Sequence, residues 1–511
     1  MTTKPLSDEL FKLLKSLSAH EAGYLSAHIK THRNQYVEEY VNLVTLLRSA
    51  EAYEEEVIKK ACRSRDIKNR FSYHKGILYD YVLQALIACH AKNCATYSAF
   101  YFIESAEILC RKSLFIQALK LLDKAHDIAD CHQKYSVLLQ VVEAQRRVLK
   151  QTKLPDLKKK LEANSTDKQK VLLKINNEND YADLNDNAFM LYREYEVLKT
   201  DEKLKGLDNF IQSPLLQNKA SALTFDASLR FHYIHSYYHQ LKGNYSIAVE
   251  HRKAAVDIWV AHPQFIDDMP ERFRTDISNL LSVQLLSRNY QDFENLLKRM
   301  ECIKTHGPEE DAATFREVYH LRQVYFLNTG RKEEALQLIP QIEKGLKRYG
   351  DYINPSRILS FYFNIISVYF VSKRYHDALT WTTRLIDEGR NKQVRVDLVD
   401  FASVLEIILQ YETGKHSLVE YRVRNARARL KKNNKLYEFE EILLLFINRL
   451  ILCEYKNHAP LKKQQRIAAV WLRFLHTLQE FSSKPSNIDL LGLEEITIWV
   501  TSKVYTELPA Q

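Results

Sequence analysis

Glycine and proline are scarce in this 511-residue chain, eleven of each, where average usage of about 7% and about 5% would supply roughly 60 together. A chain so poor in turn formers turns seldom, so long helices joined by short polar connections are expected and the fold class is all-α. Cysteine is equally uninformative as a framework. The seven cysteines run from Cys62 to Cys453 without a CxxC pair, which excludes a disulfide scaffold, and CHAKNC (Cys89–Cys94) has no second pair at zinc-ribbon spacing. No apolar run reaches 18 residues, and MTTKPLSDEL lacks the basic and apolar parts of a secretory signal, so a cytoplasmic protein with no membrane contact is expected. Glycine-rich phosphate loops, GxSxG and HExxH are absent too, which leaves no enzyme signature and no cofactor to expect. Hydrophobic residues at 46% and charged residues at 27% exclude wholesale disorder, and a net charge of +10 permits an anionic partner without demanding one.

What the chain does have is self-similarity. QLKGNYSIAVEH, LLSRNYQDFENL, FLNTGRKEEALQ, FVSKRYHDALTW and YETGKHSLVEYR share one turn grammar centred on Gly243, Arg288, Gly330, Lys373 and Gly414, spaced 45, 42, 43 and 41 residues apart. Five residues beyond each centre stands Ala248, Phe293, Ala335, Ala378 or Val419, and five before it stands an apolar residue. A further step reaches Asn457, and CRKSLFIQALKLLDKAHDIA repeats the grammar around Ser113. The unit is a helical hairpin that cannot bury its apolar stripe until the next copy stacks on it, so a solenoid with a period of about 43 residues is expected.

The spacing of aromatic residue, glycine and alanine, clearest in YYHQLKGNYSIAVEHRKAA, resembles the tetratricopeptide (TPR) repeat. The resemblance implies a right-handed stack of antiparallel helix pairs with a concave, ligand-facing groove. The period exceeds the usual 34 residues of that repeat, two copies lack the turn glycine, and Pro340 inside EEALQLIPQIEKGL is expected to kink its helix. The segments DELFKLLKSL, YVEEYVNLVTLLRS and HKGILYDYVLQALIACH are similar to the amino-terminal regions of a family of uncharacterised bacterial TPR-like proteins of about this length.

The expected organisation is an amino-terminal helical unit over 1–93, a TPR-like hairpin over 94–150, a hinge with a divergent hairpin over 151–224, the repeat array over 225–482, and a capping helix with tail over 483–511. The Lys-rich stretch from Leu149 to Lys170, with Pro155, marks the hinge. Ser18 followed by Glu21 has capping-box spacing.

Two kinds of site are suggested. In FHYIHSYYHQ, Phe231, Ile234 and Tyr238 form the inward stripe, and His232, His235 and His239 gather on an adjacent face. Spacings of three and four let two imidazoles reach one ion, but zinc would need further ligands from elsewhere, so no metal is assigned. In the TPR-like phase His232, Ser236 and His239 face the groove, followed by Tyr319, Gln323 and Phe326. The pair His28 and His32 is read as incidental. Two basic clusters are candidate anion-binding sites: Arg63, Arg65, Lys68 and Arg70 between two helices in a helix-turn-helix-like layout, and Arg422, Arg427, Arg429 and Lys431 on one helix. The expected function is a non-catalytic scaffold holding a protein or peptide segment in its groove. The alternative is a nucleic-acid-binding regulator acting through the amino-terminal unit.

Overall fold

The computed structural model describes residues 8–32, 35–90, 94–198, 201–305, 307–432, 438–455, 460–483 and 490–507. Among them every regular element is helical and no strand occurs. No described helix is long and apolar enough to cross a membrane.

The turn residues aligned from the sequence share one backbone geometry. Ser113, Gly243, Arg288, Gly330, Lys373 and Gly414 all have left-handed φ, between 52° and 78°. Each donates its N–H three residues back while its successor donates five residues back, as in Gly243 to Gln240 and Asn244 to His239. This pair of bonds is the Schellman motif, which satisfies carbonyls that the helix end would otherwise leave orphaned. In five of the six cases the next helix begins two residues later, at Phe115, Tyr245, Lys332, Tyr375 and His416. After Arg288 it is delayed to Phe293. Gln133 (φ 48°) repeats the motif outside the aligned set. Asn457 lies outside the described residues.

By internal contacts the chain divides into residues 1–311 and 312–511. In the first, Leu14, Leu25, Ile29, Tyr40, Leu47, Leu78 and Val82 form a core belonging to the amino-terminal helices alone. Ser18 and Glu21 make the reciprocal capping box at the head of the Ala19–Thr31 helix, with bonds of 3.2 and 2.8 Å. The helices Ala95–Arg111, Phe115–Cys131 and Tyr135–Leu149 then pack in succession around Ala99, Ala118, Leu122 and Val141.

Of the expected hinge, residues 150–156 are non-helical and carry Pro155, and the rest is helix. From Leu157 a single helix of 42 residues runs to Leu198. Pro155 falls ahead of its first turn, where proline costs no hydrogen bond, and the Lys, Glu, Ala and Gln that make the stretch look like a linker are strong helix formers. The helix needs only a narrow apolar stripe. Val171 joins the core of the preceding helices, whereas Tyr181 and Ala188 join that of Phe231 and Ile234. Asn164, buried, donates to the Val142 carbonyl at 2.9 Å. One element thus couples the segments on either side of the supposed hinge. Beyond it Phe225–Leu241, Tyr245–Ala261, Pro270–Ser287 and Phe293–Glu301 pack each on the one before.

In the second unit a continuous core runs from Phe315 through Phe361, Ile365, Leu405 and Leu443 to Trp471 and Trp499. The helix Lys332–Tyr349 continues uninterrupted through Pro340. The Leu493–Glu507 helix packs on Pro460–Ser482 and on Pro355–Val371. Its Trp499 and Lys503 both donate to the Glu412 carboxylate, at 2.9 and 2.8 Å.

Candidate functional site

Phe225–Leu241 is capped by Thr224, whose hydroxyl accepts from the Ala227 N–H. It buries Phe231 and Ile234, so residues one position on either side of that stripe turn toward the returning helix, Tyr245–Ala261. His232, His235 and His239 meet there a fourth histidine, His251, brought back by the Gly243 turn. His232 Nδ1 lies 3.0 Å from His251 Nδ1. The ring of His251 stacks on those of His235 (centroids 4.8 Å apart, planes 9°) and His239 (5.7 Å, 14°). His235 Nε2 is 3.0 Å from the Leu216 carbonyl. Two ring nitrogens, His232 Nε2 and His239 Nδ1, are buried with no hydrogen-bond partner among the described residues.

Burial is the first cause that lowers the pKa of all four: His232 to about 4, His251 to about 3, and His235 and His239 also below their ordinary value. Lowered pKa values favour neutral rings, each with one N–H and one lone pair, and in the His232–His251 contact one ring's lone pair accepts the other's N–H. One ring nitrogen from each of His235, His239 and His251 lies within 4.8 Å of the others, a set able to hold a metal ion. His251 was missed in the sequence because its partners stand 12 to 19 residues away, across a turn whose geometry had first to be known.

Beside the histidines lies a buried polar network. Asp276 on Pro270–Ser287 accepts from the Tyr233 hydroxyl and from Trp259 Nε1, the latter at 2.6 Å. Arg252 donates to Ser236 Oγ at 3.0 Å and its guanidinium lies over the rings of Tyr233 and Tyr237. Three consecutive helices are thereby joined by bonds that each remove a buried unsatisfied group.

The residues expected to line a groove are differently placed. Ser236 is fully buried, bonded to Arg252 and to the Ala248 carbonyl, and His232 is buried against His251. The reason is phase: the face next to the apolar stripe is the one the hairpin closes on, so it is wall between two helices rather than open surface. Gln323 is also fully buried, whereas Tyr319 and Phe326 are half-buried against the second core, each under an arginine, Arg322 and Arg331.

Of the basic residues, Arg63, Arg65, Lys68 and Arg70 are all exposed, and Arg70 reaches Asp66 only at 4.0 Å. They occupy the five-residue helix Arg65–Asn69 and its flanks, and the following helix, Phe71–His90, commits Phe71, Leu78 and Val82 to the core. Arg422 and Arg427 instead pair with Glu406 and Glu441 of adjacent helices, each at 2.6 Å. Lys431 is exposed, and the side chain of Arg429 lies outside the described residues.

The first unit also encloses a cavity of about 1300 Å³, walled by the amino-terminal helices on one side and residues 266–311 on the other. Glu21, Cys94, Lys134, Asp267, Arg299 and Lys304 contribute to its lining. No protein-family model and no curated protein matches the chain.

Proposed function

We propose that the chain is a non-catalytic helical-repeat scaffold, a TPR-like right-handed solenoid acting in the cytoplasm, which holds a protein segment in the cavity of its first unit. The observation that carries this reading is the cavity itself. At about 1300 Å³ it exceeds the range of about 300–1,000 Å³ usual for small-molecule clefts. The common turn geometry supports the repeat reading, because copies built on one motif present their helices in one register. The binding surface in this reading is not the face first expected, where His232 and Ser236 are buried and His239 is half-buried, but a wall carrying Asp267 and Lys304, both exposed. A segment of mixed charge fits such a wall.

The test is selection of peptide binders on the full chain, followed by charge reversal of the wall. Asp267→Lys and Lys304→Glu are changes at exposed positions, where substitutions usually shift stability by no more than about 0.5 kcal/mol. Selected peptides are expected to lose at least about tenfold in affinity for one or the other variant, the scale of a lost charge pair. Unchanged binding to both would remove the cavity from the proposal.

A second reading, nucleic-acid binding through the amino-terminal unit, draws on the four exposed cations Arg63, Arg65, Lys68 and Arg70. Phosphate contacts would make that binding fall steeply with salt. Gel-shift titration at low salt with the Arg63→Ala, Arg65→Ala, Lys68→Ala variant as control distinguishes the two: loss of a retarded band in the variant supports it, and no band with the wild type ends it.

A further inference from the structure

The repeat supplies its own control for the four histidines. Counted from the turn residue Gly243, they stand at eleven, eight and four residues before and eight after. The same offsets from Lys373 give Tyr362, Ile365, Tyr369 and Trp381, and from Gly414 they give Ser403, Glu406, Gln410 and Arg422. These positions are equivalent in the repeat. Tyr362 packs on Trp381 with ring centroids 5.1 Å apart, matching His232 on His251, and Glu406 pairs with Arg422 at 2.6 Å, matching His235 on His251. One hairpin fills the positions with an aromatic contact and another with an ion pair. The Gly243 hairpin fills all four with imidazole; it leaves His232 Nε2 and His239 Nδ1 buried without partners among the described residues, as the Gly414 hairpin leaves Gln410 Oε1. Packing alone does not call for that choice.

We propose that His235, His239 and His251 bind one divalent transition-metal ion of the imidazole-preferring class, zinc being the probe, with His232 as the positioning residue of His251. A zinc ion with nitrogen ligands at about 2.0–2.1 Å holds them about 3.4 Å apart, and the three rings offer nitrogens within 4.8 Å of one another, so the proposed site requires the stacked rings to turn and draw together on binding the ion. The surrounding bonds leave one nitrogen free on each of His235 and His251. With the Nε2–H of His235 donating to the Leu216 carbonyl, its Nδ1 lone pair remains. With the Nδ1–H of His251 donating to His232 Nδ1, the tautomer the site requires, its Nε2 lone pair remains. A ligating histidine whose second nitrogen is held by a carbonyl or another polar group is the usual arrangement around a protein-bound metal. Three nitrogen donors leave a fourth position open for water or an anion. The nearby charges weigh little against three coordinate bonds: Lys219 and Glu250 are exposed and of opposite sign, and Arg252 is turned toward Ser236.

The full chain, stripped with chelator and dialysed, is titrated with Zn²⁺ and, separately, with Mg²⁺. The expected result is one equivalent of zinc bound with submicromolar affinity and no magnesium. His239→Ala and His251→Ala each weaken zinc by about 100-fold or more, as loss of a direct ligand should exceed loss of an outer-shell partner. His232→Ala weakens it by about 10- to 100-fold, the range for removal of such a partner, and keeps the one-to-one stoichiometry, which a purely structural role would not predict. The His28→Ala, His32→Ala double variant, which removes the other pair at the same spacing, leaves affinity unchanged. Folding of every variant is checked by circular dichroism, and His239→Gln replaces any variant that does not fold. The proposal is overturned if the wild type binds zinc no tighter than about 100 µM, roughly 5.5 kcal/mol, or if His239 and His251 variants that fold retain it.

Discussion

Gln323 is fully buried with both amide atoms unpartnered among the described residues. A buried polar group left unsatisfied costs about 1–3 kcal/mol, so Gln323→Met, close in shape and without that cost, is expected to raise stability by about 1 kcal/mol, read from the midpoint of urea unfolding. Gly345 has the opposite sensitivity. A Cβ there would run into the ring of Phe315, which stacks on Phe361 at 5.7 Å, so Gly345→Ala is expected to cost about 1–3 kcal/mol as overpacking. His320 carries a pH dependence. Burial, and then Arg357, Arg316 and Arg395, lower its pKa to about 4, against about 6.5 in an unfolded chain. Because the folded form resists protonation, this contribution is fully present above about pH 6.5 and is lost as pH falls from there toward about 4. Replacement by Gln, which keeps a polar partner for Asn364, should flatten the stability profile across that window. Gly345 and His320 do not stand out in the sequence, where Gln323 has the phase of a groove residue rather than of a buried one.

At the scale of the element, the recurring Schellman turn sets where helices end. Lys373 and Ser113 hold left-handed φ of 59° and 61° without being glycine. That conformation costs a non-glycine residue about 1–2 kcal/mol, and glycine gives back about 0.5–1 through its unfolded freedom. Lys373→Gly and Ser113→Gly are therefore expected to stabilise by ~0.5–1 kcal/mol each, and Gly243→Ala, at φ 74°, to destabilise by about 1 kcal/mol. Thermal unfolding of the three variants beside the wild type decides the matter, and equal midpoints would show that the turns relax. These turns were legible because the same pattern of apolar residue, turn and helix start recurs at a nearly constant spacing. The Leu157–Leu198 helix was not, because a lysine-rich stretch with one narrow buried stripe has the composition of a linker until its neighbours are known.

At the scale of the molecule, the chain divides by contacts at Asp311 and Ala312, not near residue 150 where composition changes. A chain beginning at residue 151 would lose Tyr135–Leu149, the helix against which the first half of Leu157–Leu198 packs, and would expose Val171 and the partner face of Asn164. Such a truncation is expected to bind a hydrophobic dye and to be cut by protease within 157–175, whereas the full chain is not. Resistance equal to that of the full chain would show that the long helix stands without its partner. The same coupling means that deletion of the amino-terminal helices also removes one wall of the 1300 Å³ cavity, so the surface charge reversals are the cleaner probe of binding.

The sequence by itself determined the helical class, through its scarcity of glycine and proline, and the positions of six turns, through a grammar that recurs about every 43 residues with glycine at three of them. Both are properties of the chain itself, written in the residues concerned and their spacing. Which helix faces are wall and which are surface was decided by tertiary structure alone. His232 and Ser236 have the polarity of a groove, yet they lie inside a hairpin because the chain returns on that side. His251 has no sequence neighbour that marks it, and it joins His235 and His239 because the Gly243 turn folds its helix back along theirs. Proximity between residues separated by a turn depends on how two helices pack, and no periodicity within either helix specifies it.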